Sequence, residues 1–417
     1  MNHAYEILSV RPKAWVSVET IQLVGMESQR GGFWPRLCRL KCNIGWETVP
    51  FISSFLTPTI TNLDLTLPRE SNRLLQPTLS LLTHTCHQLQ SLKMDVDAFG
   101  PLSGGEMGCL ISASRHTLRR VDIRSPTPPE IFPVISSLPR LRDLSLQDPR
   151  FPNQIAPEIL PRLEAIIFNG NHGSNLTQFL KRLPAQRLAN VSISRGETIQ
   201  LSTLLESLRG ATATMNMLYL SPVTTLDHSS VILICYFTNL TSLTIRCSCE
   251  ELGGLCSFDL TDEKILELGE TLAHMRSLSL GAGCRGPRHV TFTSLTCLSR
   301  MCGNLESLSI RVDFASIVGG SDQLNHTDAS LGVNSTRPSG ERSRLCILTV
   351  GNSPLPDIPR CEWVVALALV SIFPSVKFLF SYCSGEMHKR WDKVRGDILV
   401  CQKIFHITRA RGKHLDT

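Results

Sequence analysis

LPRLRDLSLQ, residues 138–147, contains the pattern that decides the fold. In this stretch Leu144 and Leu146 alternate with the polar residues Asp143 and Ser145. Apolar side chains at every second residue are typical of a strand that buries only one of its faces. The stretch is therefore either a single amphipathic strand or one copy of a unit that repeats along the chain.

The same pattern recurs along the 417 residues. In each copy, apolar residues occupy the first, fourth and sixth positions, as Leu141, Leu144 and Leu146 do here. Successive copies start 22 to 40 residues apart, and most steps fall within or near the 20–29 residues of a leucine-rich repeat. One such strand cannot bury its apolar face alone, but a stack of parallel strands can. The thirteen copies start at Leu37, Ile60, Leu89, Leu118, Leu141, Leu163, Leu188, Met215, Leu240, Met275, Leu305, Leu345 and Val376.

The segments between the copies have the character of connecting helices. Parallel strands need a long crossover, and a helix with one apolar face provides it. The clearest examples are residues 74–88, 201–211, 262–275 and 361–375. The sequence therefore predicts an α/β leucine-rich-repeat solenoid, with parallel strands on a concave face and helices and irregular segments on a convex face.

Composition restricts the class of protein further. The chain is 42% hydrophobic and 19% charged, with a net charge of +6, which is typical of a globular protein. Its fifteen cysteines have no regular spacing, and several lie in apolar stretches, which favours a reducing compartment. The apolar run at 363–373 is too short to span a bilayer, and the N-terminus has no signal-peptide pattern. We therefore expect a soluble protein of the cytoplasm or nucleus.

Several longer motifs carry a family resemblance. They are FWPRLCRLKC (33–42), PFISSFLTPTITNLDLTL (50–67), SLPRLRDLSLQ (137–147), LTVGNSPLPD (348–357) and KRWDKV (389–394). Together they resemble the leucine-rich-repeat part of fungal F-box-like proteins, over most of residues 33–395. The resemblance implies a ribonuclease-inhibitor-like horseshoe that selects a protein substrate. It also implies an F-box that docks the Skp-type adaptor of a cullin ubiquitin ligase.

The first thirty residues depart from that family, because they contain no F-box opening. We therefore expect Skp-type adaptor and cullin as partners only if an F-box is encoded upstream. The expected organisation has four parts. An N-terminal helical segment at 1–32 is a possible link to an F-box. A solenoid of about thirteen repeats follows at 33–385 and contains a flexible insertion at 312–344. A basic cap and tail at 386–417 forms the C-terminal part.

A partner would contact the polar positions of the strands. In a leucine-rich-repeat horseshoe these side chains face the concave surface, and interface energy concentrates on arginines and aromatic residues. The alternative is that the same residues only solvate the sheet. The basic stretch at 389–413 favours a solvated terminus over a nucleic-acid or lipid contact. The predicted partner-binding residues are Arg120, Asp122, Arg124, Asp143, Ser145, Tyr219, Arg246 and Arg311.

Two motifs suggest other chemistry. GAGCRG, residues 281–286, fits a dinucleotide-binding fingerprint, but Pro287 follows where a helix would have to begin. Cys247, Cys249 and Cys256 are zinc-ligand candidates together with His228 or His274, although their spacing matches no standard zinc finger. The sequence therefore predicts no cofactor and no metal.

No catalytic motif accompanies the repeats, so we expect a protein without enzymatic activity. The sequence predicts a protein-recognition scaffold that resembles the substrate-binding part of an F-box-type ubiquitin ligase receptor. Two alternatives stay open: a regulator or inhibitor of another enzyme, and a shortened gene product that lacks ligase function.

Overall fold

The chain forms two compact units, Met1–Glu197 and Thr198–Thr417, each with its own strands and helices. The computed structural model describes residues 8–10, 37–43, 55–67, 72–96, 104–152, 160–170, 175–194, 200–251, 258–284, 290–315, 317 and 343–413.

In the first unit the strands pair in chain order, and each pair is parallel. The register sets equivalent residues side by side. Leu63, for example, lies between Leu40 on one neighbouring strand and Leu92 on the other. The apolar positions therefore form continuous rows on one face of the sheet. The strands are β1 (Leu8–Val10), β2 (Arg39–Asn43), β3 (Asn62–Leu67), β4 (Ser91–Val96), β5 (Arg120–Pro126), β6 (Asp143–Gln147), β7 (Ala165–Asn169) and β8 (Asn190–Ser194).

Helices connect these strands and contribute to the core. The helices are α1 (Asn72–Thr85), α2 (Gly104–Ala113), α3 (Phe132–Ser136) and α4 (Leu176–Arg182), with 3-10 turns at Pro129–Ile131 and Ala185–Arg187. Phe132, Phe151, Phe168 and Phe179 form a buried cluster with ring centroids 4.7 to 6.0 Å apart. The tilted and edge-to-face arrangement of these rings is the one that aromatic pairs prefer.

The second unit follows the same plan, with parallel strands paired in chain order. Its strands are β9 (Met217–Val223), β10 (Ser242–Cys247), β11 (Ser277–Leu280), β12 (Ser307–Ile310), β13 (Ile347–Gly351) and β14 (Phe378–Ser381). Its helices are α5 (Leu201–Ser207), α6 (His228–Cys235), α7 (Ser248–Glu251), α8 (Asp262–Thr271), α9 (Phe292–Met301), α10 (Cys361–Ile372) and α11 (Gly385–Lys413), with a 3-10 turn at Arg209–Ala211.

Side-chain caps begin several of these helices. Asp227 caps α6 by accepting a hydrogen bond from Ser230 N at 2.9 Å, and Thr261 caps α8. Such caps satisfy main-chain N–H groups that have no partner within the helix. Asp262 in α8 also accepts a hydrogen bond from Thr291 N at 2.7 Å, where α9 begins. Neighbouring repeats of the second unit are therefore joined at their helix starts.

The last helix packs against α10 and covers the last strand. Its buried stripe consists of Trp391, Val394, Ile398 and Cys401. Two side chains of α11 also cap this end of the sheet, because Arg395 Nε donates to Leu379 O at 3.0 Å and Gln402 Nε2 donates to Val376 O at 2.7 Å. These bonds satisfy carbonyl groups at the end of the sheet.

The predicted repeat strands are confirmed. Each of the thirteen strands from β2 to β14 begins two residues after the first apolar position of a predicted copy. The predicted helices at 74–88, 201–211, 262–275 and 361–375 correspond to α1, α5, α8 and α10. The chain is thus an α/β protein with parallel strands, as the period of its sequence requires.

Other expectations meet the structure only in part. Most of the helical segment predicted at 1–32 lies outside the described residues, and its described part, β1, is a strand because its backbone pairs with β2. The predicted insertion at 312–344 lies mainly outside the described residues. Residues 386–413 of the predicted C-terminal cap and tail belong to α11. Among the described residues, no helix has the length and apolar character that crossing a membrane requires.

Candidate functional site

In most strands from β2 to β14, one side faces the core and residues on the other side are at least partly exposed. In β6, Leu144 and Leu146 are buried, whereas Asp143, Ser145 and Gln147 are partly exposed. We call the accessible residues of β2–β8 the first strand face, and the accessible residues of β9–β14 the second strand face. All-parallel sheets in α/β proteins are usually covered on both sides, so an accessible side is a distinctive feature.

Alternating charges line up across the first strand face. Lys41, Asp64, Lys93 and Asp122 occupy equivalent positions on β2 to β5, and the sheet register sets each beside the next. Asp64 Oδ2 lies 3.7 Å from Lys41 Nζ and 3.1 Å from Lys93 Nζ. Opposite charges on neighbouring strands stabilise the pairing and set its register. These charged side chains therefore form ion pairs with one another across neighbouring strands.

Arg124 continues this network on β5. Its Nε atom lies 3.4 Å from Asp122 Oδ2, and its Nη1 atom lies 3.9 Å from Asp95 Oδ2. Asp122 itself is only 4% exposed, and its Oδ1 atom has no hydrogen-bond partner among the described residues. The sequence placed Asp122 on the partner-facing surface, but the structure buries its carboxylate beneath the Arg124 guanidinium.

The other predicted residues of the first unit are accessible. Arg120 is exposed, and it pairs in register with Asp143 on β6. Asp143 and Ser145 are both partly exposed. The structure therefore brings Arg120, Arg124, Asp143 and Ser145 together on two neighbouring strands.

Tyr219 and Arg246 meet on the second strand face. Tyr219 on β9 is in register with Thr244 on β10, and the Arg246 guanidinium lies 5.7 Å from the centre of the Tyr219 ring. This distance is typical of a cation–π contact. The sequence selected both residues separately, and the structure shows that they form a pair.

Beside this pair runs a row of hydroxyl side chains. The sheet register aligns Thr244, Ser279, Ser309 and Thr349 on four successive strands. The first three are partly exposed, and Thr349 is 8% exposed. The second strand face therefore carries small hydroxyl side chains beside the Tyr219–Arg246 pair.

Arg311 lies just after β12 and outside the row of strand residues. Its Nη1 atom donates a hydrogen bond to Cys284 O at 2.5 Å. The side chain is partly exposed and packs on the loop that follows β11. Arg311 therefore differs from the other predicted partner-binding residues, because its guanidinium is hydrogen-bonded to a loop.

Aromatic residues lie at the β14 end of the second strand face, and they are not among the partner-binding residues predicted from the sequence. Phe378 and Phe380 of β14 are 54% and 48% exposed, and their rings stack with centroids 6.4 Å apart. Ile347 lies beside Phe378 in register and is also exposed. The signal was visible in the sequence, because these residues occupy positions that are polar in most other copies of the repeat.

Two thiols of the first unit, Cys42 in β2 and Cys86 directly after α1, have raised pKa values. Burial, with the Asp64 carboxylate as the second cause, raises the pKa of Cys42 to about 12. Burial also raises the pKa of Cys86 to about 11. Because the thiolate is the reactive form, both side chains behave as apolar groups.

The structure also tests the motifs for other chemistry. Gly281 of GAGCRG has a φ of +51° and begins a turn, and the next described helix starts at Phe292. Of the zinc-ligand candidates, Cys247 and Cys249 lie close together, and the third buried thiol beside them is that of Cys284.

The remaining zinc-ligand candidates lie elsewhere. His228 is exposed and contacts Glu267 at 3.6 Å, and His274 is exposed as well. Cys256 lies outside the described residues. The sequence could not identify Cys284, because this residue belongs to the next repeat.

Comparison with models of known protein families finds no match, and comparison with curated proteins finds none either.

Proposed function

We propose that this chain is a non-catalytic protein-recognition scaffold, and that its two strand faces bind a protein partner. The observation that carries the proposal is the accessible side of an all-parallel arrangement of strands. A parallel sheet is normally covered on both sides, so an uncovered side is available to another molecule. Repeat proteins use extended surfaces of this kind for binding.

The repeat pattern supports a leucine-rich-repeat solenoid of the horseshoe type. Each repeat consists of one short strand followed by a helix or an irregular segment, and its leucines face the core. Such repeats bury a continuous core only when they are stacked. The strand side would then form the concave surface, and the helices would form the convex one.

The residues that support binding differ between the two faces. On the first strand face, Arg120 and Arg124 are exposed cations of β5, and Arg120 is in register with Asp143 on β6. On the second, Tyr219 and Arg246 combine an aromatic ring with a guanidinium. Arginine and tyrosine are enriched among the residues that dominate interface energies. We therefore infer that these residues are the main contacts.

Paired alanine substitutions test the proposal. We expect R120A/R124A and Y219A/R246A to lose partners that the wild-type chain captures from an extract of its own cells, as measured by quantitative mass spectrometry. K181A/R182A is the control for the first pair, since it removes two exposed cations from α4. R209A/Y236A is the control for the second pair, because Arg209 lies 5.6 Å from the Tyr236 ring and forms the same kind of contact on the helical side.

A photo-crosslinking residue gives a readout that does not depend on stability. Placed at Arg120, it should label the same partner that the R120A/R124A variant loses. At Lys181 it should not label that partner. Unchanged partner sets for both alanine pairs would rule out the strand faces as the binding surface.

The resemblance to fungal F-box-like proteins supports a narrower proposal, that the partner is a substrate of a cullin ubiquitin ligase. Co-purification of a Skp-type adaptor and a cullin with the product of the complete gene would support it. A well-folded product that recruits neither protein would exclude the ligase role and leave the scaffold proposal in place.

A further inference from the structure

Three cysteine thiols converge in the core of the second unit. The Sγ atoms of Cys247 and Cys249 are 3.2 Å apart, and those of Cys249 and Cys284 are 3.7 Å apart. All three sulfur atoms lie within 4.8 Å of one another, and all three side chains are buried. Within the part of the chain that the structure describes, this is the one group of three or more potential metal-ligating side chains with such spacing.

The repeat architecture brings these residues together. Cys247 is the last residue of β10, and Cys249 is the second residue of α7. Cys284 comes from the next repeat, in the turn that Gly281 begins after β11. Asn352 holds this turn, because its Nδ2 atom donates to Gly283 O at 3.0 Å. The sulfur atoms are therefore positioned by two neighbouring strand ends and not by one flexible loop.

We propose that Cys247, Cys249 and Cys284 supply three of the four ligands of one Zn²⁺ ion, and that a water molecule supplies the fourth. A tetrahedral zinc site with Zn–S bonds of about 2.3 Å sets its sulfur atoms about 3.8 Å apart. The observed separations of 3.2 and 3.7 Å are close to this value. A disulfide would require about 2.05 Å between two sulfur atoms. Movements of less than about 1 Å would convert the observed arrangement into a trithiolate site.

The charges at the site fit this ion. Each thiol must lose its proton to bind, so one Zn²⁺ and three thiolates form a centre with one negative charge and release three protons to solvent. The Arg311 guanidinium provides a positive charge beside it, since Nη1 donates to the main-chain oxygen of Cys284 at 2.5 Å. Three thiols select a thiophilic ion over Mg²⁺ or Ca²⁺, which prefer oxygen ligands.

Zinc analysis of the full chain is the first test. The chain is purified under reducing conditions without chelator, and we expect about one zinc per chain by elemental mass spectrometry. X-ray absorption at the zinc edge should show at least three sulfur neighbours at about 2.3 Å. Replacement of zinc by Co²⁺ should give the intense visible bands of a tetrahedral thiolate site. These measurements use the wild-type chain, so they do not depend on how any variant folds.

Single serine variants then assign the ligands. We expect C249S and C284S to lose the bound zinc, and we expect C302S to keep it. Cys302 is the matched control, because it is also buried in the second unit and its thiol donates to two main-chain oxygens, Gly269 O at 3.8 Å and Leu272 O at 3.7 Å.

Three results would overturn the zinc proposal. The first is a reduced wild-type chain that neither contains zinc nor retains it after incubation with Zn²⁺. The second is a zinc centre with fewer than three sulfur neighbours, or one that persists in C284S. The third is a disulfide between Cys249 and either Cys247 or Cys284 that persists in the chain purified under the same reducing conditions, detected by thiol alkylation and mass spectrometry.

Discussion

Substitution of Glu362 by glutamine tests how α11 is held against α10. The Glu362 side chain is 10% exposed, and Arg390 Nε, on a side chain that is 19% exposed, lies 2.7 Å from its Oε1 atom. Lys393 Nζ lies 3.5 Å from the other carboxylate oxygen. Arg390 also donates from Nη2 to Pro356 O at 2.6 Å. Glutamine keeps the size of the side chain but removes its charge, so Arg390 is left without its main counter-ion.

The pKa of Glu362 gives the magnitude of this effect. Burial alone would raise the pKa, but the hydrogen bond from Arg390 and further hydrogen bonds outweigh burial and lower it from its usual 4.5 to about 2. At 1.36 kcal/mol per pH unit, this lowering corresponds to about 3 kcal/mol of stabilisation of the folded form. Loss of one partner from a buried ion pair typically costs about 3–5 kcal/mol, which agrees with that value.

The direction of the pH dependence follows from the lowered pKa. The carboxylate contributes its full stabilisation above about pH 4.5, where Glu362 is ionised in both the folded and the unfolded chain. The contribution decreases as the pH falls towards about 2, because the unfolded chain takes up the proton first. The difference in stability between wild type and E362Q should therefore be largest at neutral pH and should shrink below about pH 4.5.

Hydrogen–deuterium exchange of peptides from residues 386–401 measures the local stability of α11. A loss of about 3 kcal/mol should accelerate their exchange by about a hundredfold at pH 7, since 1.4 kcal/mol changes an equilibrium constant tenfold. E386Q is the control on the same helix. Its ion pair with Lys389 is 78% and 76% exposed, so its removal should change exchange very little.

A double substitution separates the charge effect from packing. E362Q/R390M removes both charges, and its exchange should be slower than that of E362Q, because no unpaired cation is then left between the helices. Equal exchange rates for wild type and E362Q at pH 7 would refute the reasoning. The same holds for a difference that does not decrease below pH 4.5.

Three further substitutions test the core, the charged row and a close backbone contact. L144A removes a side chain that is 1% exposed and should cost about 3 kcal/mol in chemical denaturation, whereas S145A on the same strand should change stability by less than about 0.5 kcal/mol. D64A leaves two lysines without their shared carboxylate and should cost about 1 kcal/mol at low salt and less at 1 M salt. G351A should lower the melting temperature, because the new Cβ would meet a main-chain oxygen at 1.7 Å at a residue with a φ of +58°. G396A, with nothing within 4 Å of the new Cβ, should not lower it.

The sequence was sufficient to predict the strands, because their positions depend on a local period. A buried apolar residue such as Leu144 must recur at every second position within a strand, and the strand itself must recur once in each repeat. Both rules operate over fewer than about 45 residues, so they can be seen in the amino-acid order. The helices follow from the same reasoning, since a parallel strand needs a crossover before it.

The sequence was not sufficient to predict side-chain contacts between different repeats. It was also not sufficient where one residue pattern, such as a run of basic residues, masks a second pattern of buried apolar residues. Cys284 reaches Cys249 across 35 residues, and no spacing rule connects the two. In α11 the basic residues suggested a solvated tail, although Trp391 and Val394 begin a buried stripe. Asp122 was taken as accessible from its strand position, but Arg124 on the same strand covers it. In each case the deciding factor is a side-chain contact that the repeat period does not specify.

The aromatic residues at the β14 end of the second strand face support the proposal that this face binds a partner, because the sheet does not require aromatic side chains at these positions. Phe378 and Phe380 flank the buried Leu379, and the positions that align with them on β12 are Ser307 and Ser309. Serine at these positions is therefore compatible with the same sheet. A phenylalanine that is half exposed forgoes about 1 kcal/mol relative to full burial, and the stacking of the two rings recovers only part of that. A partner that covered both rings would recover the remainder, which is the behaviour expected of an exposed apolar group at a binding surface.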